Sequence, residues 1–131
     1  MSEDLDADAI LDRIINRDDR YPRQAYCFLM DALKHTTGSL PVRRHVTGQE
    51  LSIGIRDYAI EQFGIAVPLI FEQWGISSTR DFGEMVFNMV NAGLMRKTDD
   101  DDISDFEDAY DFQTEFETNF KIKVDKSNLS K

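Results

Sequence analysis

LMRKTDDDDISDFEDAYD, residues Leu94–Asp111, is the stretch whose reading decides the fold class of this chain. Leu94–Thr98 reads as a short strand, Asp99–Ser104 as a charged loop and Asp105–Asp111 as a return strand. Ahead of it, Arg80–Ala92 places Phe82, Met85, Val86, Met89 and Val90 on one helical face, and Gly93 is a natural stop. Behind it two periods compete. Phe112, Phe116 and Phe120 recur every four residues, as on a helix. Phe112, Thr114, Phe116, Thr118, Phe120, Ile122 and Val124 also alternate, as on a strand. A short helix over 112–118 and a strand near 120–124 reconcile the two.

The upstream half is helical by its punctuation. Leu11, Ile14 and Ile15 form an apolar stripe within a first helix, Leu5–Asn16. Pro22 suits the first turn of a second helix that runs to Thr37 and stops at Gly38, with Ala25, Leu29, Ala32, Leu33 and Thr36 along one face. Thr47-Gly48-Gln49-Glu50 is a capping box. Val46 and Leu51 flank it as a hydrophobic staple, so a third helix starts there and ends at Gly64. Pro68–Trp74 is a short helix closed by Gly75.

The chain has 131 residues, one ordinary domain, with nine phenylalanines to build a core. Cys27 is its only cysteine, so no intramolecular disulfide forms. The opening MSEDLDADA is acidic where a signal peptide is basic and apolar. Phe63–Phe71, the longest charge-free apolar run, is far short of the ~20 residues a membrane span needs. These features predict a soluble cytoplasmic protein without membrane association. The net charge of −10 is uneven: residues 99–120 hold ten acids and no base, whereas residues 20–98 hold nine bases against seven acids. Asp99, Asp100, Asp101 and Asp102 form the densest acidic surface.

Arg43, Arg44 and His45 are the candidate anion or partner contacts. They precede a helix N-terminus, where free N–H groups and the dipole favour an anion. Pairing with the acidic 99–111 tract competes with that role and is preferred; plain solvent exposure is the third alternative. His35, His45, Glu50 and Cys27 are the only mixed metal-ligand candidates, and no HExxH or His-x-His spacing joins them. The 99–111 tract lacks the glycine and terminal glutamate of a calcium loop. Cys27 reads as a small core residue. Seven glycines stand singly, without a phosphate-binding or nucleophile-elbow pattern. No catalytic residue, metal or cofactor is implied, and the reading leans away from an enzyme.

RYPRQAYCFLMDAL, RRHVTGQELSIGIRDYAIEQFG and WGISSTRDFGEMVFNMVNAGLMRKTDDD together resemble an uncharacterised family of small bacterial proteins known mainly from Planctomycetes and Verrucomicrobia. The resemblance covers roughly residues 20–117 and implies no assigned reaction, cofactor or site residues. Separately, the order short helix, turn, longer helix, strand, loop, strand resembles a winged helix-turn-helix unit. That likeness makes Arg80, Glu84, Asn88 and Asn91 a recognition-helix face, with Arg96 and Lys97 beside it at the wing. The four aspartates that follow oppose phosphate contact and disfavour DNA. The expectation is one mainly α, α+β domain over residues 1–125. It has about five helices, a small C-terminal β-hairpin that is winged-helix-like, and a disordered tail over 126–131. The expected function is a non-enzymatic protein-interaction module with an acidic wing and tail. A winged-helix DNA-binding regulator is the alternative, and a small anion-binding protein or enzyme the third; oligomeric state is open.

Overall fold

The computed structural model describes residues 3–42 and 44–118. Five α-helices follow one another: α1 Glu3–Arg17, α2 Arg23–Gly38, α3 Gly48–Phe63, α4 Val67–Gln73 and α5 Thr79–Asn91. Short 3-10 turns cover Gly64–Ala66 and Ile103–Phe106, and a π-helical turn covers Thr114–Thr118. Among the described residues there is no strand. The α+β class, its β-hairpin and the winged-helix likeness are therefore corrected to a helical architecture. No described helix is long and apolar enough to cross a membrane.

The helix starts follow from local chemistry. Pro22 caps α2 with extended backbone, and Pro68 lies in the first turn of α4. At α3 the Thr47 hydroxyl accepts from the Glu50 N–H at 3.1 Å, and the Glu50 carboxylate accepts from the Thr47 N–H at 2.9 Å. α2 and α3 approach so closely at Gly54 that a Cβ there would overlap the Thr36 hydroxyl, which itself donates to the Ala32 carbonyl at 2.7 Å. α5 packs against α1, α2 and α3, with Phe82, Met85 and Met89 fully buried, and α1 adds Leu11 and Ile14 to the same core. Cys27 is exposed, which corrects its assignment to the core. The buried face of α2 is Ala25, Tyr26, Phe28, Leu29 and Ala32, and this turns Cys27 outward.

The acidic segment folds back as turns. Gly93 takes φ 90, and the Leu94 and Met95 amides donate to the Met89 carbonyl at 2.8 and 3.3 Å. The backbone of the expected first strand is thereby wound over the end of α5. In the expected return strand, the Asp105 carboxylate accepts from the Asp102 N–H at 3.0 Å and starts a 3-10 turn. Asp108 then takes φ 51, a left-handed conformation that aspartate tolerates and a strand does not.

Phe106, only 3 % exposed, fastens this segment to the helices. A Cβ on Gly48 would lie 2.7 Å from the Asp105 Cβ and 3.0 Å from the Phe106 ring, and one on Gly83 would lie 3.0 Å from that ring. The two glycines thus form a socket between the start of α3 and the middle of α5. The buried Thr79 hydroxyl donates to the Phe106 carbonyl at 2.5 Å and accepts from the Ala109 N–H at 3.2 Å. Tyr110 donates its hydroxyl to the Ser52 carbonyl at 2.8 Å. Phe112 and Phe116, one helical turn apart, complete the core against Phe71 at centroid distances of 5.6 and 5.5 Å. Residues 112–118 are helical, as the four-residue phenylalanine repeat predicts. The expected strand near 120–124 and tail over 126–131 lie outside the described residues.

The socket makes a specific prediction for equilibrium denaturation. Alanine normally stabilises a helix relative to glycine by up to ~1 kcal/mol, and Gly38→Ala, where nothing lies within 4 Å, is expected to follow that rule. Gly48→Ala and Gly83→Ala are expected to destabilise by roughly 1–3 kcal/mol through overpacking, with Gly48→Ala the worse. Equal effects at all three positions would contradict the socket.

Candidate functional site

The α2–α3 connector carries Arg44 and His45 to the mouth of a cleft of about 590 Å³. The far wall comes from the segment after α5, residues Met95 to Lys97, and from Asp101, Asp105 and Phe106. The floor is apolar: Leu33 from α2, Leu51 from α3, Val86 and Phe87 from α5. The cleft exists because Phe106 brings the acidic segment back over α3 and α5, opposite the connector.

Arg44 grips Glu50 with two parallel bonds, Nη1–Oε1 at 3.0 Å and Nη2–Oε2 at 2.6 Å. The Arg44 hydrogen bond, seconded by the Thr47 amide, holds the Glu50 carboxyl down to about 2. The same carboxylate therefore caps α3 and neutralises Arg44. His45 Nε2 lies 2.6 Å from Asp101 Oδ2, joining the connector to the acidic tract across the cleft. Burial pushes the Asp101 carboxyl up, but the Thr98 amide and His45 bring it below its ordinary value. Arg43 lies outside the described residues. A free anion site on Arg44 and His45 finds no support, since each faces a carboxylate of this chain.

The candidate recognition face on α5 is engaged in the same way. Arg80 pairs with Glu107 and, at 3.2 Å, with Glu84; Glu84 also lies 3.3 Å from Arg20. Asn88 donates to the Asp18 carboxylate at 3.0 Å and the Tyr26 hydroxyl at 3.1 Å. Arg20, and then Asn88 and the Arg20 amide, hold the Asp18 carboxyl far below its usual range against the opposing effect of burial. Asn91 is exposed at the end of α5. Arg96 and Lys97 are exposed beside the cleft. Among the described residues neither lies within salt-bridge distance of a carboxylate, and Lys97 Nζ donates only to the Thr98 carbonyl at 3.3 Å.

The four aspartates separate into two kinds. Asp101 faces His45, and Asp102 accepts from the Ser104 hydroxyl at 2.5 Å. Asp99 and Asp100 are exposed. His35 lies 3.7 Å from Glu61 and packs tilted against the Tyr58 ring, centroids 5.1 Å apart. Among the described residues no group of three His, Cys, Asp or Glu side chains is placed to hold a metal ion. No local run of residues announces the cleft. Leu33 and Val86 were recognisable as stripe residues, whereas the part played by Phe106 depends on two glycines remote from it in the chain.

Compared with protein-family models, with curated proteins and with solved structures, the chain matches none.

The Arg44–Glu50 pair has a direct pH test. A carboxyl whose folded pKa is depressed contributes stability that is complete above its ordinary value of 4.5 and is lost as pH falls through about 2. A carbon-13 titration is expected to give a Glu50 midpoint near 2, rising most of the way to 4.5 in Arg44→Ala. An unmoved midpoint in that variant would remove Arg44 as the cause.

Proposed function

We propose that the chain is a non-enzymatic protein-interaction module whose acidic segment, the residues after α5, meets a basic partner. The observation that carries this reading is the way the segment is anchored. Phe106, Tyr110, Phe112 and Phe116 pack into the helical core, so exposed Asp99, Asp100, Asp108 and Asp111 are presented from fixed backbone. A preorganised charged surface loses less conformational freedom on binding than a mobile tail, and like-signed charge steers a complementary partner and speeds encounter.

The engagement of the body's cations supports the same reading. Arg20, Arg23, Arg44, Arg56 and Arg80 each pair with a carboxylate, and around the segment the exposed aspartates outnumber the two cations without such a pair, Arg96 and Lys97. A duplex-binding role has less support. Arg80 and Asn88 are held by other side chains, and Asp99 and Asp100 stand next to Arg96 and Lys97, where they oppose phosphate contact.

The reading is tested by affinity capture from a native lysate at low salt, using the wild-type chain and the Asp99→Asn, Asp100→Asn, Asp108→Asn triple variant side by side. The expected result is a reproducible basic partner retained by the wild type, lost from the variant, and released as ionic strength rises. A partner set identical for the two chains, or none for either, would overturn it.

A further inference from the structure

The geometry points to a site away from the cleft: an aromatic cup between α2, α3 and the end of α4 that takes a quaternary ammonium group. The cup shares no lining residue with the cleft or the acidic segment, so it stands whether or not that segment meets a basic partner.

Three helices bring four rings together there. Phe28 of α2 lies at the centre, and the Tyr58, Phe63 and Trp74 rings each stand 5.4 Å from it between centroids. Phe63 and Trp74 meet edge to face, 5.8 Å apart at 79°. Phe28 is buried, whereas the other three are half-buried and line an open hollow of about 450 Å³. That volume lies inside the roughly 300–1,000 Å³ of sites for small molecules. The faces of such rings carry negative potential, so a cluster of them attracts a cation.

The charges around the cup have the matching sign. Arg23 and Asp31 are the charged residues that line it. Arg23 pairs with two carboxylates of α1, Asp12 and, at 3.5 Å, Asp8, so its surroundings are net negative. Asp31 is exposed, and among the described residues no cation lies within salt-bridge distance of it. Glu61 borders the same side, 3.7 Å from His35, which packs against Tyr58. Lys34 is exposed one turn along α2 from Asp31 and does not line the cup. Asp8, Asp12, Asp31 and Glu61 therefore outnumber Arg23 and Lys34, even with His35 protonated. An anion would meet Asp31 and the ring faces together.

The lining also selects the kind of cation. A primary ammonium brings N–H donors that lose water against the rings and find few acceptors there. A trimethylammonium has no donor to satisfy and presents its methyl groups to the ring faces. An uncharged group of the same shape gains burial alone.

Trp74 is the only tryptophan of the chain, so its fluorescence reports the cup directly. The full chain is titrated with choline, with the uncharged tert-butyl isostere of choline and with ethanolamine. Choline is expected to give a saturable change that weakens as ionic strength rises, with the other two roughly tenfold or more weaker. Acetyl-trimethyllysine amide, titrated alongside, separates the two sources of the group. Tighter binding of choline assigns a free small molecule, and tighter binding of the amide assigns a modified lysine side chain. Asp31→Asn is expected to weaken choline about threefold and to leave the isostere unchanged. Tyr58→Leu is expected to weaken choline about fivefold, and thermal unfolding reports the folding of both variants. Alkylation of Cys27, exposed in the same cup, is expected to slow when choline is present. Equal affinity for choline and its isostere would overturn the proposal, as would the absence of a saturable change with choline. So would full choline affinity in both folded variants. The wild-type comparison and Cys27 protection decide the matter if Tyr58→Leu fails to fold.

Discussion

A single phenyl ring between two glycines holds the acidic part of this chain to its helices. Phe106 is accommodated only because Gly48, at the start of α3, and Gly83, inside α5, present bare backbone to it. Each glycine costs a helix up to ~1 kcal/mol relative to alanine, whereas truncating a buried phenylalanine costs roughly 3–5 kcal/mol, so the exchange favours the socket. Much else depends on that contact. Thr79 reaches the Phe106 carbonyl, Tyr110 reaches Ser52, and Phe112 and Phe116 close over Phe71. Without the anchor, the segment would have no reason to cross α3 and α5, and the cleft would lose its far wall.

The same anchoring changes what the charge means. A run of aspartates followed by more acids reads from composition as a solvated loop or tail. In the folded chain the acids alternate with buried aromatics and take local structural roles as they do so. Asp105 starts a turn, Asp101 meets His45, Glu107 meets Arg80 and Glu115 lies 3.2 Å from Arg56. The excess of negative charge that remains falls on a few exposed positions whose spacing is fixed by the core. Arg96 and Lys97, on the wall of the cleft, stand among these acids, with Asp101 and Asp105 lining the same cleft.

The helices upstream of Gly93 were legible because their signals are local. A proline at α2 and another at α4, the Thr47–Glu50 box at α3 and the apolar stripe of α5 each act within one or two turns of their own position. The fate of Leu94–Asp111 was not local. That stretch reads as strand, charged loop and return strand, but the outcome rests on backbone space at Gly48 and Gly83, which no window around Phe106 contains. Those glycines carried a faint signal, since glycine inside a helix marks a close approach of another element. The candidate site was legible in part. Glu50 was assigned to the cap of α3, but the same carboxylate also takes Arg44, so one motif accounts for both residues. Cys27 was misplaced because Phe28 and Tyr26 set the buried face of α2, and the cysteine between them points away from it.

A nuclear Overhauser spectrum of the intact chain, read at the Phe106 ring, tests the anchoring of the acidic segment without any substitution. Strong cross-peaks are expected from that ring to the α-protons of both Gly48 and Gly83, with no α-proton contacts between Leu94–Thr98 and Asp105–Asp111. Cross-strand α-proton contacts between those two stretches, with the Phe106 ring silent toward both glycines, would contradict that anchoring.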